Sequence, residues 1–289
     1  MKQTKGERIF NLFNLTLLAV VSLCAFLPFM HIISKSFSTD VAVMTKEVIL
    51  WPVGFNFYSY QYVLNNNQFL VAFGNSVFIT VVGTFISIMM TVFAAYPLTK
   101  KDMPFHSLIS LMYIITMFFG GGMIPTYLLY KQMGLYDNLW VLILPAAISP
   151  FNMILMRNFF DSISPSLEES ARIDGASNLR ILFKIILPLS KAAIATIGLF
   201  YAVGYWNSFF SALLFTSKTS LMPLQLYLRN LVLNLQGADI NIDWEAATHV
   251  VPESIRAATI IAAMVPILFV YPFVQKHFVK GVMIGAVKE

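Results

Sequence analysis

The chain has 289 residues, of which 58% are hydrophobic and only 11% are charged, and its formal net charge is +5. Average soluble domains carry about 25% charged residues, so this composition excludes an ordinary soluble protein and indicates a membrane protein. The basic residues stand at the ends of apolar stretches, which favours topology signals over a nucleic-acid-binding surface.

Six stretches are long and apolar enough to cross about 30 Å of hydrocarbon, which takes about 20 helical residues. They lie near residues 11–33, 71–97, 106–128, 138–156, 186–214 and 257–279. The sequence therefore predicts an all-α membrane protein with six transmembrane helices in a single domain over residues 1–289. With the N-terminus inside, thirteen of the nineteen lysines and arginines fall on the cytoplasmic side. The positive-inside rule therefore favours an N-in, C-in orientation.

The segments between these spans carry few chemical signals. Within the third span, the run Gly120–Gly122 predicts a local irregularity of the helix, because glycine weakens it. On the outer side, "MPLQLYLRNLVLNL" places leucines at helical spacing and predicts a short helix after Pro223. The acidic stretch 239–245, "DINIDWE", lacks the glycine that a calcium loop needs at its sixth position, so we interpret it as an ordinary outer loop.

A charged segment follows the fourth span: "EESARIDGASNLRILFKIILPLS", from Glu168 to Ser190. Its ionised residues are Glu168, Glu169, Arg172, Asp174, Arg180 and Lys184. Burying each at the bilayer centre costs about 3 kcal/mol, or about 18 kcal/mol for all six. The segment must therefore lie outside the hydrocarbon, and the predicted orientation places it in the cytoplasm.

Local signals predict two short helices in this segment. Ser166 and Glu169 have the spacing of a capping box, and Glu168 stands four residues before Arg172, so the two can pair along one face. Gly175 supplies the left-handed residue that ends a helix.

The second helix is predicted to begin at Ser177 or Asn178 and to be broken by Pro188. Its apolar stripe consists of Leu179, Leu182, Phe183 and Ile186. An apolar stripe beside a charged tip suits a helix that docks in a partner's groove, but it equally suits an interfacial helix or an ordinary helical loop.

The segment resembles the EAA loop of ATP-binding-cassette (ABC) importer permeases. The family pattern is E-A-A, three residues, glycine, nine residues and then I-x-L-P, and this chain matches every spacing, with Ser170 in place of the first alanine. The tail "QKHFVKGVMIGAVKE" and the stretch "MFFGGGMIPTYLLYKQMGLYDN" are similar to the carbohydrate-uptake branch, in its complex-polysaccharide and lipo-oligosaccharide permease subgroup.

The resemblance implies a type I importer permease in the bacterial plasma membrane, with residues 161–188 as the coupling loop. It also implies the partners: a second homologous permease subunit, two cytoplasmic ATPase subunits and an extracellular solute-binding lipoprotein that delivers an oligosaccharide. ATP and Mg²⁺ would be bound by the ATPases, with no cofactor in this chain. The residues implied to contact or couple to the ATPase are Glu168, Glu169, Ala171, Asp174, Gly175 and Ala176.

Candidate sugar contacts come from the residue types. The fifth span ends in "LFYAVGYWNSFF", which contains Tyr201, Tyr205, Trp206 and Asn207. Such side chains combine flat apolar faces with hydrogen-bonding tips, as sugars require. Asn75 and Asn152 are amides within other spans, where polar groups need partners. The alternatives are that the aromatic residues anchor the span ends at the interface and that the amides join helices.

Other classes of protein are less well supported. The sequence has no G-x-x-x-x-G-K-[ST] motif for nucleotide phosphates, no Ser-His-Asp constellation and only four scattered histidines, so we do not expect an enzyme or a metal site. A secondary carrier would be expected to show inverted repeats or charges within its spans, whereas the interiors of the six predicted spans are nearly free of charge. An ABC permease for another solute, such as an oligopeptide or glycerol phosphate, stays open as an alternative.

Overall fold

The computed structural model describes residues 4–233 and 251–286, except for the side chains of 271–286. Its α-helices are α1 (Lys5–Ser36), α2 (Asp40–Met44), α3 (Tyr58–Asn65), α4 (Asn67–Ala95), α5 (His106–Phe118), α6 (Met123–Gln132), α7 (Trp140–Ile143), α8 (Pro150–Asp161), α9 (Pro165–Ile173), α10 (Asn178–Ile181), α11 (Leu187–Leu189), α12 (Lys191–Trp206), α13 (Phe210–Phe215), α14 (Leu224–Leu233) and α15 (Pro252–Ala286). Short 3₁₀ turns occur at Pro97–Thr99, Leu144–Ala146 and Thr219–Leu221, and a π-helical turn at Leu182–Ile186. The described part of the chain is therefore all-α, as predicted. The predicted acidic stretch 239–245 lies outside the described residues.

Three helices in the described ranges are each long and apolar enough to cross a membrane unbroken: Lys5–Ser36, Asn67–Thr99 and Pro252–Val270. Three bent pairs also qualify: His106–Phe118 with Met123–Gln132, bent by 114°; Trp140–Ala146 with Pro150–Asp161, by 47°; and Asn178–Leu189 with Lys191–Trp206, by 83°. If each pair is one span, the described residues hold six. The predicted single domain and the N-in, C-in orientation stay predictions.

The chain divides into two compact units, of which the first comprises Met1–Leu70 and Leu228–Val265. Helix α1 is apolar on all sides, and none of its most apolar window is buried within the protein. Such a helix requires lipid or a partner around it. Near the end of α1, Ser34 Oγ donates a hydrogen bond to the carbonyl of Leu50 at 2.6 Å, which ties the segment after the helix to the helix itself.

The second unit, Val71–Tyr227 and Pro266–Glu289, contains the larger hydrophobic core. Two glycines allow α4 and α12 to approach closely there. A Cβ atom added at Gly83 would lie 2.8 Å from the ring of Tyr205, and one added at Gly198 would lie 2.8 Å from Cδ1 of Ile88. Small residues have the same effect at many helix contacts in membranes, where association depends on close packing.

The glycine run in the third predicted span breaks the helix. Helix α5 ends at Phe118 and α6 begins at Met123, and Gly122 between them has a φ of +83°, which favours glycine. The predicted irregularity is confirmed. Its 114° bend is larger than that of a simple kink, so the third span is not a straight helix.

Candidate functional site

Helix α9 is the first arm of the charged segment. It begins with Pro165 at its first position, so its N-cap is Ser164. The predicted capping box of Ser166 and Glu169 is therefore wrong, because a capping box needs its acid three residues after the cap and Glu169 stands five residues after it. The hydroxyl of Ser166 instead lies 2.8 Å from that of Ser164.

A tight turn at Gly175 ends the first arm. Gly175 has a φ of +75°, which confirms the predicted left-handed stop. Its N–H donates to the carbonyl of Arg172 at 3.0 Å, and the N–H of Ala176 donates to that of Ala171 at 2.9 Å. These two bonds define a Schellman C-terminus. Ala171 and Ala176 are partly buried against the core, so the turn is fixed to the rest of its unit.

The second arm begins as predicted, with Ser177 as the N-cap of α10 and its Oγ accepting from the N–H of Arg180 at 3.4 Å. The apolar stripe is only partly as predicted. Leu182 and Ile186 are buried, but Leu179 and Phe183 are exposed and Ile181 is buried in their place. Phe183 lies within the π-helical turn at Leu182–Ile186, where the period of the helix is longer than 3.6 residues, so its direction differs from that predicted for a regular helix.

The two glutamates of the first arm point to different surroundings. Glu168 forms an ion pair with Lys100, which directly follows the span Asn67–Thr99 that contains α4, and both side chains are largely buried. The predicted pair between Glu168 and Arg172 is therefore wrong: the guanidinium of Arg172 donates to Asn178 Oδ1 at 3.2 Å instead. Glu169 is exposed.

The tip between the arms is exposed and combines charge with an apolar side chain. Ile173 is 87% exposed, and two acidic residues are exposed as well: Glu169, four residues earlier, and Asp174, the next residue. Of the residues predicted for this site, Glu168, Ala171 and Ala176 are directed at the chain itself, whereas Glu169, Asp174 and Gly175 are exposed.

Two tyrosines of α12 join three helices. The hydroxyl of Tyr201 lies 2.7 Å from Thr91 Oγ1 and accepts from the N–H of Ser149 at 2.9 Å. The hydroxyl of Tyr205 lies 2.8 Å from Ser87 Oγ and donates to the carbonyl of Ile143 at 3.2 Å.

These four hydrogen bonds link α12 to α4 and to the break between α7 and α8. Irregular backbone at membrane depth is tolerated where neighbouring helices satisfy its polar groups, and the two hydroxyls do so here. Sequence reasoning missed Ser87 and Thr91, although their i, i+4 spacing matches that of Tyr201 and Tyr205.

The other predicted sugar contacts lie in varied surroundings. Asn75 donates from Nδ2 to the carbonyls of Ser220 and Met222, at 2.8 and 3.1 Å, so its amide joins two parts of the chain. Asn152 is buried within α8. Asn207, which caps α12, is exposed and its amide donates to the carbonyl of Val203 at 2.9 Å.

Trp206 is the predicted contact with an unused polar group. The side chain is 7% exposed and its ring meets Phe73 edge-on, with the centroids 6.1 Å apart. Its indole N–H has no hydrogen-bond partner within the part of the chain that the structure describes. The residue also lines an apolar cavity of about 400 Å³ together with Val77 and Pro266. Among the described residues no group of three or more His, Cys, Asp or Glu could hold a metal ion.

Comparisons with known proteins agree along most of the chain. The family described as "Binding-protein-dependent transport system inner membrane component" matches residues 69–284. The chain is 44% identical to Protein LplC of Bacillus subtilis (strain 168) over 288 residues, which cover 100% of this chain and 98% of that protein. It is 43% identical to the polygalacturonan/rhamnogalacturonan transport system permease protein YtcP of the same organism, over 98% of this chain and 99% of that protein.

A solved structure is similar in three dimensions as well as in sequence. It is a chain from the crystal structure of a bacterial ABC transporter involved in the import of the acidic polysaccharide alginate. The TM-score is 0.91 and the identity is 37%, over 96% of this chain and 99% of that chain.

Proposed function

Because the chain belongs to the family of binding-protein-dependent transport system inner membrane components, we propose that it is a transmembrane subunit of an ATP-driven importer of oligosaccharides. The observation that carries this proposal is the glycine-hinged pair of helices from Pro165 to Leu189, which ends in an exposed tip. The substrate class is supported by the relatives, whose names refer to polygalacturonan, rhamnogalacturonan and alginate.

The tip is the proposed contact with the ATPase. Glu169 and Asp174 offer charges there, and Ile173 offers an apolar side chain that can enter a groove of the partner. Gly175 fixes the angle between the arms, and Ala171 and Ala176 keep the turn close to the core. ATP and Mg²⁺ are bound by the two ATPase subunits in this proposal, since this sequence contains no phosphate-binding loop.

The translocation path is proposed to lie between this chain and a second homologous permease subunit, with sugar delivered by an extracellular solute-binding lipoprotein. Trp206 and Asn207 are the side chains best suited to contact the sugar. Trp206 has an unused N–H and a flat ring, and Asn207 is exposed at the end of α12. Asn75, Tyr201 and Tyr205 already use their polar groups within the chain, which favours a role in packing.

Reconstitution in proteoliposomes tests the proposal. The chain is combined with the second permease, the ATPase and the binding protein, and uptake is measured for oligogalacturonides, rhamnogalacturonan fragments and alginate oligosaccharides. A tripeptide and glycerol 3-phosphate serve as non-sugar solutes. We expect uptake of at least one oligosaccharide that depends on ATP and on the binding protein.

The double variant Glu169→Ala, Gly175→Pro provides the internal comparison. It should insert and assemble with the second permease but lose ATP-dependent uptake, because proline cannot adopt a φ of +75°. Uptake in the absence of the ATPase would instead identify a secondary carrier, and uptake of the tripeptide or glycerol 3-phosphate alone would exclude an oligosaccharide importer.

A further inference from the structure

The ion pair between Lys100 and Glu168 joins two elements that are far apart in sequence. Lys100 directly follows the 3₁₀ turn at Pro97–Thr99, which ends the span that begins at Asn67. Glu168 lies in the first turn of α9. The pair therefore connects the charged segment to the inner end of a span that the segment does not adjoin along the chain.

The surroundings of the pair hold it in place. Only 25% of the Lys100 side chain and 17% of the Glu168 side chain are exposed. The ammonium of Lys100 also lies 4.8 Å from the centroid of the Tyr96 ring, a cation–π contact. Fully exposed ion pairs contribute little, but removing one member of a largely buried pair leaves a charge without compensation.

A second contact joins the same two elements. The ring of Phe183, in the π-helical turn, meets that of Phe93 in α4 with the centroids 6.2 Å apart. Leu182 is buried in the hydrophobic core that also contains Val92 and Ala95 of α4, so apolar packing holds the segment in place independently of the charges. Loss of the ion pair alone should therefore leave the chain folded.

We propose that Lys100 is a positioning residue for transport, which makes the inner end of α4 move together with the coupling loop when the ATPase displaces that loop. The inference rests on the proposed function. The loop is continuous with α12, but through an 83° bend that can absorb part of a displacement. The ion pair with Lys100 gives a second path by which a displacement of the loop reaches the spans, through α4. The hydroxyl pairs of Tyr201 with Thr91 and of Tyr205 with Ser87 connect α4 to α12, so the two helices should move together.

Charge reversal in the reconstituted importer is the first test. Tritiated oligogalacturonides are the uptake probe, and uptake is expressed per ATP hydrolysed. Lys100→Glu should lower this ratio about tenfold, equivalent to about 1.4 kcal/mol, while ATP hydrolysis continues on the ATPase subunits. The exchanged variant, Lys100→Glu with Glu168→Lys, should restore most of the ratio. Lys101→Glu is the matched control, since Lys101 is the exposed neighbour with the same charge.

A distance measurement tests the joint movement without a sugar. Nitroxide labels at Ser170 and Phe85, both exposed, report the separation of the loop and α4 by pulsed electron resonance. In the wild-type complex the distance should be the same before and after trapping with ATP and vanadate. In Lys100→Glu it should change by about 2 Å or more, the size of typical interface helix shifts. If that variant does not assemble, Lys100→Met keeps the stem over Tyr96 and should show the same change.

The outcomes separate this inference from the function on which it rests. A wild-type chain that shows neither ATPase binding nor ATP-dependent uptake overturns the proposed function. An active wild type in which Lys100→Glu behaves like Lys101→Glu, or in which the exchanged pair is no better than the single variant, overturns the role of Lys100 alone.

Discussion

Replacing Tyr205 with phenylalanine removes one oxygen atom from a buried junction and leaves the aromatic ring in place. The oxygen has two partners, Ser87 Oγ at 2.8 Å and the carbonyl of Ile143 at 3.2 Å. Side-chain hydrogen bonds between membrane helices are worth about 0.6 kcal/mol on average and up to about 1.7 kcal/mol. Loss of both bonds should therefore cost about 1–2 kcal/mol of unfolding free energy.

The loss can be measured as a fall in the midpoint of thermal unfolding in detergent. One kcal/mol corresponds to about 2–4 °C in a chain of this size class, so we expect a decrease of about 2–8 °C. Tyr201→Phe should behave similarly, because its hydroxyl also has two partners. The control is Tyr58→Phe, since Tyr58 is 62% exposed and its loss of a hydroxyl should leave the midpoint unchanged.

Uptake measurements decide between packing and sugar contact for these tyrosines. If the hydroxyl of Tyr205 serves only to join helices, the KM for the transported oligosaccharide stays at the wild-type value in Tyr205→Phe. A variant with an unchanged unfolding midpoint and a raised KM would refute the packing argument, because the hydroxyl of Tyr205 would then form its hydrogen bonds with the sugar during transport.

Three further changes have defined outcomes. Gly83→Ala places a Cβ 2.8 Å from the ring of Tyr205, and such overpacking costs about 1–3 kcal/mol, which a lower unfolding midpoint would show. Gly175→Ala meets no neighbour within 4 Å but requires a left-handed alanine, which costs about 1 kcal/mol. ATP-dependent uptake should fall, and Gly175→Asn, which tolerates this conformation, should retain more of it. Hydrogen bonds from the side chain and backbone of Ser217 lower the pKa of Asp137 below its ordinary 3.8. A lowered folded-state pKa stabilises the chain above the unfolded pKa, so this contribution is complete above about pH 4 and is lost as the pH falls through the folded pKa. Asp137→Asn should therefore reduce the drop of the unfolding midpoint between pH 6 and pH 3, and an equal drop in both proteins would contradict this assignment.

The local features of the charged segment were largely predictable because they depend on neighbours in sequence. Gly175 ends a helix, since glycine adopts positive φ without strain, and Ser177 begins the next one, since its hydroxyl can accept from the first turn. The capping box failed by a local detail. Pro165 took the first helical position and moved the N-cap to Ser164. Ser166 is therefore not the N-cap residue, and its spacing to Glu169 does not form a capping box.

Partners distant in sequence were not predictable in the same way. Glu168 had a plausible partner one helical turn away in Arg172, but Lys100 is closer in space and lies where less water competes. The aromatic residues at the end of the fifth span suggested a sugar site, yet the positions of Ser87 and Thr91 on α4 provide partners for two of them inside the chain. Residue type alone does not show whether a polar group is already satisfied.

The sequence by itself determined the membrane class, the all-α fold and the hinge at Gly175. The membrane class follows from the composition of the chain, and helices and their glycine stops depend on residues within one or two helical turns. The tertiary structure decided which side of the loop faces the chain and which stays free: Glu168 is paired with Lys100, and Glu169 is exposed. It also decided that spans bend at Gly122 and near Ser149. The physical reason is that hydrogen bonds and ion pairs form with whichever group is nearest in space, and that is fixed only when the helices pack.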